Sequence, residues 1–223
     1  MNPEKFSYSH QGQDLILADL LRNVTGGGVY IDIGCNHPVI ESNTYKLYKM
    51  GWSGFGIDGD SSFDKEWLKY RTRDHFINAV VARDSEKKAF YKFANKTMST
   101  ADEKTMMDYT KKHGEPVESI IVETVPVENI LTKFKVPKDF ELLCCDVEGN
   151  DLEALQSVNF HKFRPKVILV EIKLYNFLKP FDCEIVTFLY DNDYVMIAKT
   201  PLDGFFVDKN EDFGWIPRHM LQA

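Results

Sequence analysis

Short runs dominated by apolar residues alternate with helically spaced apolar stripes along the whole chain. Residues 29–33, 54–58, 75–81, 142–147 and 166–172 are too short for helices and are bounded by glycine, proline or acidic turns, so they read as strands. The run at 166–172 is apolar almost throughout, as a strand covered on both faces must be. Between these runs the spacing changes to three and four. Residues 11–23 carry Leu15, Ala18 and Leu21 beside Ile16 and Leu20, and a helix from about residue 43 carries Tyr45 and Tyr48 and stops at Gly51. A helix capped by Ser61 puts Phe63, Trp67 and Tyr70 on one side, and further helices are expected at 127–134, 151–157 and 182–191. Residues 88–93, which alternate, read as a strand neighbouring the third one; 120–127, 194–199 and 205–208 are strands as well. Residues 94–116 are polar, with one short helix expected at 102–112, and read as a lid inserted over the sheet edge. This alternation predicts an α/β fold with a mainly parallel sheet and helices on both faces. No linker or repeat divides the chain, so residues 1–223 are expected to form a single domain, with 1–25 as a helical N-terminal extension.

In such a sheet, ligands bind at the carboxyl ends of the strands, so the residues just past each strand belong together. Strand one ends in Asp32 and Gly34, and the chain then turns through Asn36, His37 and Pro38. The turn has neither the G-x-G-x-x-G of a dinucleotide site nor the G-K-[ST] of a phosphate loop. An acidic residue before a lone glycine suits a cofactor with positive charge and no pyrophosphate, and S-adenosylmethionine is such a cofactor. Strand two delivers Asp58, whose carboxylate can accept from both hydroxyls of a ribose. Strand three delivers Asn78 and Ala79, where an adenine could lie; Asn43 and Gly59 complete the candidate cofactor set. The later strands deliver Asp146, Glu148, Gly149, Asn150 and Asp151, then Glu171. Singly, each of these is an ordinary strand-end or helix-cap residue. Their joint placement points to a site.

Composition narrows the partners. Apolar residues make up 43% of the chain and charged residues 27%, enough for a substantial core. The net charge of −7 counts against non-specific nucleic-acid binding, which needs clustered Lys and Arg. The acceptor is expected to be a small molecule or a glycan. No uncharged apolar run approaches membrane-spanning length, and the first fourteen residues lack a signal-peptide core. Four cysteines form no C-x-x-C pair, and Cys144 and Cys145 should face opposite sides of one strand. Together these features predict a cytoplasmic protein.

The pieces HQGQDLIL, VYIDIGCNHP, SNTYKLYKMGW, GFGID, DVEGNDLEAL and FRPKVILVEI resemble, in order, the FkbM family of S-adenosylmethionine-dependent methyltransferases. The resemblance runs from about residue 8 to about residue 195. It implies a Rossmann-like class I methyltransferase sheet of seven strands, the last antiparallel. It also implies methyl transfer to a hydroxyl, often of a sugar or a polyketide-type molecule. By the same resemblance Asp32 and Gly34 form the first cofactor motif, Asp58 contacts ribose, Asn78 and Ala79 flank adenine, and Asp146 lies near the methionine end or the methyl group. The chain departs from the family at Cys144, where a lysine is common, and at Cys35, where alanine is common. A sugar hydroxyl needs help to lose its proton, and Glu148 is the first candidate base, with His37 second. A divalent cation held by Asp146, Glu148 and Asp151 ranks below this metal-free reading. Two other readings are a scaffold that binds the cofactor without turnover and a nicotinamide-dependent dehydrogenase, the latter disfavoured by the missing glycine fingerprint.

Overall fold

A computed structural model describes residues 6–173 and 175–221. Its nine strands are β1 (Val29–Ile33), β2 (Ser53–Asp58), β3 (His75–Asn78), β4 (Lys87–Lys92), β5 (Glu118–Glu123), β6 (Leu142–Cys145), β7 (Val167–Glu171), β8 (Tyr194–Lys199) and β9 (Asp203–Asp208). Seven of them form one sheet in the order β3-β2-β1-β6-β7-β9-β8. Every pairing from β3 to β7 is parallel, whereas β9 runs antiparallel to both β7 and β8. This is the sheet that the resemblance implies, with the antiparallel strand inserted beside β7.

The helices are α1 (Gln13–Leu20), α2 (Tyr45–Lys49), α3 (Asp64–Tyr70), α4 (Glu103–His113), α5 (Val127–Lys133), α6 (Asp151–Gln156) and α7 (Glu184–Asp191). The period-2 geometry of the strands divides the apolar residues between two cores. Leu142 and Cys144 pack on one face with Leu17, Leu47 and Trp52, while Leu143 and Cys145 pack on the other with Leu131, Leu155 and Leu189. The two adjacent cysteines therefore do face apart, and all four cysteines are free thiols. All five residues of β7 are buried, and each of its Val, Ile and Leu side chains contributes roughly 1.5–3 kcal/mol by leaving water. Phe205 and Phe206 are likewise core residues. No helix among the described residues is long and apolar enough to cross a membrane.

Three local expectations need correction. The strand at 88–93 does not neighbour β3: β4 pairs antiparallel with β5 in a separate two-stranded ribbon. β3 is the edge of the main sheet: it pairs with β2 up to the ladder bond from Ala79 N–H to the Asp58 carbonyl, and beyond it Val81 meets Val125 in an isolated bridge. The cap before α3 is Asp60, not Ser61; its carboxylate accepts from the Ser62 N–H at the start of a 3-10 turn. The first helix is shorter than its apolar stripe, beginning after Gly12, which has φ +83°.

Candidate active site

The crevice lies along the carboxyl ends of β1, β2, β6 and β7. Gly34 closes β1: its N–H and that of Cys35 donate to the Ile57 carbonyl at 2.8 and 3.2 Å, while Asp146 N–H donates to Ile33 at 3.0 Å. Gly34 has φ +75°, and a Cβ there would stand 1.6 Å from the Asp146 carbonyl oxygen. Only glycine lets the first loop cross β6 this closely. Gly34→Ala is therefore expected to destabilise the fold by about 1–3 kcal/mol from backbone strain, with backbone displacement added. Denaturant unfolding measures this, and an unchanged midpoint would refute it.

The crevice has two lobes, of about 510 and 1150 Å³ counting space open to solvent. Asp58 and Gly59 line the smaller one, with Ala79, Val80, Val81 and Phe90 as its apolar wall. Asn36 N–H donates to Asp58 Oδ2 at 2.9 Å and Asp60 N–H to Oδ1 at 2.8 Å. Each oxygen keeps capacity for a further donor. Burial pushes Asp58 up to about 6 against the pull of those two N–H groups, and the charges of Asp60 and Asp32 add to the rise. Asn78 is not part of this wall: it is exposed and turns its amide to the Asp58 carbonyl at 2.9 Å.

The larger lobe is acidic. Asp32, Glu41, Asp146, Glu148, Glu171 and Asp203 line it, along with Asn43 and with Lys173 as its one lysine among the described residues. Asp32 is buried and accepts the Thr44 hydroxyl at 2.6 Å. Burial raises it to about 6, opposed by Thr44 and Arg71. Asp146 Oδ1 is buried and has no hydrogen-bond partner among the described residues. Burial, then the charges of Glu171 and Glu148, push this carboxyl well above its usual range. Glu171 is pushed up to about 8 by burial and by Glu148, with Lys173 opposing. Lys173 Nζ bridges Glu148 Oε2 and Glu171 Oε2, 2.7 Å from each.

Glu148 joins the lid segment to this lobe. Its carbonyl accepts the Thr100 hydroxyl at 2.7 Å, and its Oε2 also accepts the Tyr109 hydroxyl from α4. Oε1 makes no hydrogen bond among the described residues. His37, by contrast, is not brought to the crevice. Its Nδ1 accepts the Val39 and Ile40 N–H groups at 3.0 and 2.9 Å, and its Nε2 lies 3.4 Å from Glu66 Oε2. Both ring nitrogens are occupied in the turn, which removes His37 as a base. The carboxylate trio is also corrected: Asp151 turns inward to accept Val147 N–H and Gly149 N–H, and the oxygens that lie within 4.8 Å of one another belong to Asp146, Glu148 and Glu171.

Lys173, Tyr109, Thr44 and Arg71 escaped the sequence reading. Lys173 follows β7 by two residues and was open to the same strand-end logic that found Glu171. Cys144 is buried in the core, so the ammonium of this crevice comes from β7 rather than from β6.

The chain is similar to known proteins over most of its length. The model of the methyltransferase FkbM domain matches residues 32–196. No curated protein matches the chain. Among solved structures, a TehB-like SAM-dependent methyltransferase from Corynebacterium glutamicum is 12% identical, with 90% of this chain and 89% of that one covered and a TM-score of 0.46. A provisionally named RNA methyltransferase from Pyrococcus horikoshii is 9% identical over 88% of this chain and 83% of its own, at a TM-score of 0.47. A provisionally named ribosomal RNA methyltransferase from Plasmodium falciparum is 12% identical over 91% and 97%, at 0.44.

Proposed function

The chain belongs to the FkbM methyltransferase family and uses S-adenosylmethionine, and from that premise we propose that it methylates a hydroxyl of a sugar or other small molecule, with Glu148 as the proton acceptor. The observation that carries the reading is the pairing of one lobe built for a nucleoside with a second, acidic lobe that ends at Glu148. The cofactor supplies a methyl group already activated by a sulfonium, so the protein's task is alignment and proton removal.

The residues present fit that cofactor. Asp58 offers two oxygens already fixed by backbone N–H groups, the arrangement a ribose diol needs. Ala79, Val80 and Phe90 give the adenine an apolar wall. The acidic lobe suits the cationic methionine end, and the unpartnered Asp146 Oδ1 is an acceptor without a donor. Glu148 Oε2 is held by Lys173 and Tyr109, which leaves Oε1 to take the acceptor's proton. Lys173 pairs with this carboxylate, and against burial the attraction of Glu148 and Glu171 raises the Lys173 ammonium above its usual range. Among the described residues the acidic lobe offers a phosphate only one lysine, and that ammonium is already paired with Glu148 and Glu171, which supports a small neutral acceptor over RNA. The free cysteines support a reducing, cytoplasmic setting.

Methyl transfer to a panel of sugars and small polyols, followed by formation of S-adenosylhomocysteine, tests the reading. Tight cofactor binding without transfer to any hydroxyl would return the scaffold alternative.

Residues 94–116 act as the cover of this site. No residue of α4 is buried, and its hold on the rest of the protein includes Tyr109 and the neighbouring Thr100. Amide exchange in α4 is expected to be much faster than in β1 and β6 in the free protein, and to slow when S-adenosylhomocysteine is added. Equal, slow exchange in α4 and the sheet would count against a cover.

A further inference from the structure

Arg71 follows α3 and is 1% exposed, behind the first loop and outside the crevice lining. A guanidinium has five N–H donors, and here five acceptors surround it. Nε donates to the Pro38 carbonyl at 2.8 Å, Nη1 to the Tyr30 hydroxyl at 2.8 Å and to Asp74 Oδ2 at 3.2 Å, and Nη2 to Ser42 Oγ at 2.8 Å and Thr44 Oγ1 at 2.9 Å. Trp67, Tyr45 and Tyr48 lie against it, 4.7, 5.2 and 5.3 Å from ring centre to guanidinium carbon. Thr44 Oγ1 accepts from Arg71, so its own proton points the other way, to Asp32 Oδ2 at 2.6 Å. The guanidinium thus sets the direction of a hydroxyl whose partner is a crevice carboxylate.

We propose that Arg71 is a positioning residue for the cofactor: it fixes the loop from residue 38 to residue 44 and, through the Thr44 hydroxyl, aims Asp32 at the methionine end. This rests on the reading that the acidic lobe receives that end of S-adenosylmethionine. Lysine cannot replace the arginine, because an ammonium has three donors and no planar fork to reach Pro38, Ser42 and Thr44 together. Arg71 and Thr44 also oppose the rise of Asp32 caused by burial. The other groups facing Asp32 are Asp74 behind it, Tyr30 on its own strand, Cys35 and Asp58 toward β2, Cys144 on β6, and Asp146 and Asp203 across the lobe. Tyr30 and the thiols are neutral near pH 7, and the carboxylates disfavour an ionised Asp32. Arg71 is therefore the cation that favours it. In the wild type, affinity for an ammonium ligand falls as pH drops through about 6. Without the guanidinium, that fall moves to higher pH.

Calorimetric titration with two probes tests this: S-adenosylhomocysteine, which carries the amino-acid end, and adenosine, which lacks it. Arg71→Lys and Thr44→Val are each expected to weaken S-adenosylhomocysteine roughly ten-fold at pH 7 and leave adenosine unchanged, and Thr44→Val, which removes the donor to Asp32, is expected also to shift the acid fall-off upward. If Arg71→Lys does not fold, Thr44→Val decides. Equal losses for both probes would mean a structural role only, and no loss for either would mean no role; each overturns the proposal. Asp32→Asn separates the levels. Wild-type affinity there defeats the reading of the acidic lobe itself, whereas weak binding with normal Arg71→Lys and Thr44→Val defeats only the assignment of Arg71.

Discussion

Glu148→Gln is expected to leave affinity for S-adenosylhomocysteine close to wild type while lowering methyl transfer by roughly 10²–10⁴-fold, the usual worth of a positioned base. The separation of the two effects follows from geometry. Glu148 leaves β6 on a loop with φ +52°, anchored through its carbonyl by Thr100, so the backbone is held independently of the carboxylate. Glutamine keeps the size of the side chain and can still accept from Tyr109 and Lys173 through its carbonyl oxygen. What it loses is the capacity to take a proton at the second position. His37→Asn serves as the control, since His37 lies in the turn and not in the crevice. It should cost stability by removing the acceptor for two N–H groups, on the order of 1–3 kcal/mol, and leave the chemical step intact. Single-turnover kinetics with a sugar that accepts the methyl group measure the step. Wild-type rates for Glu148→Gln would remove this residue as the base.

Asp58→Ala is the second large effect. Two hydroxyl-to-carboxylate bonds are at stake, each worth at most about 1.5–3 kcal/mol and less where water substitutes, so affinity should fall on the order of 10²-fold. Part of the loss comes from the protein alone, because Asn36 N–H and Asp60 N–H lose their acceptor. Asp58→Asn isolates the ligand's share, since an amide oxygen still serves one of those N–H groups. Titration with S-adenosylhomocysteine should show one site per chain in the wild type. Equal affinity in wild type and Asp58→Ala would defeat the ribose assignment.

Most of the main sheet was legible because its strands are buried on both faces and leave an apolar signature, as in β7. The strand expected at 88–93 is misplaced because alternation marks a half-buried strand without naming its partner. The partner is β5, which meets β4 antiparallel in register from Lys87 opposite Glu123 to Lys92 opposite Glu118. The strand-end rule brought Asp32, Asp58, Asp146 and Glu148 to one crevice. It missed Arg71 because the acceptors for this arginine lie in other elements, 27 to 41 positions earlier for Thr44, Ser42 and Tyr30, and no local pattern announces them. His37 and Asp151 show the converse. Both are polar in the right place, yet each spends its acceptors on nearby N–H groups, a matter of rotamer and backbone rather than of spacing.

The reversed β9 has a consequence for synthesis. It leaves a ribosome after both β7 and β8, yet it belongs between them. Until residue 208 has emerged, the nascent protein presents the Val-Ile-Leu-Val-Glu strand as an open edge, and β8 has no partner to join. Such an edge invites pairing with another unfinished chain. Truncation within β9 should thus yield aggregates rather than a smaller folded enzyme, and the acidic lobe, which needs Asp203, is not complete until β9 has emerged.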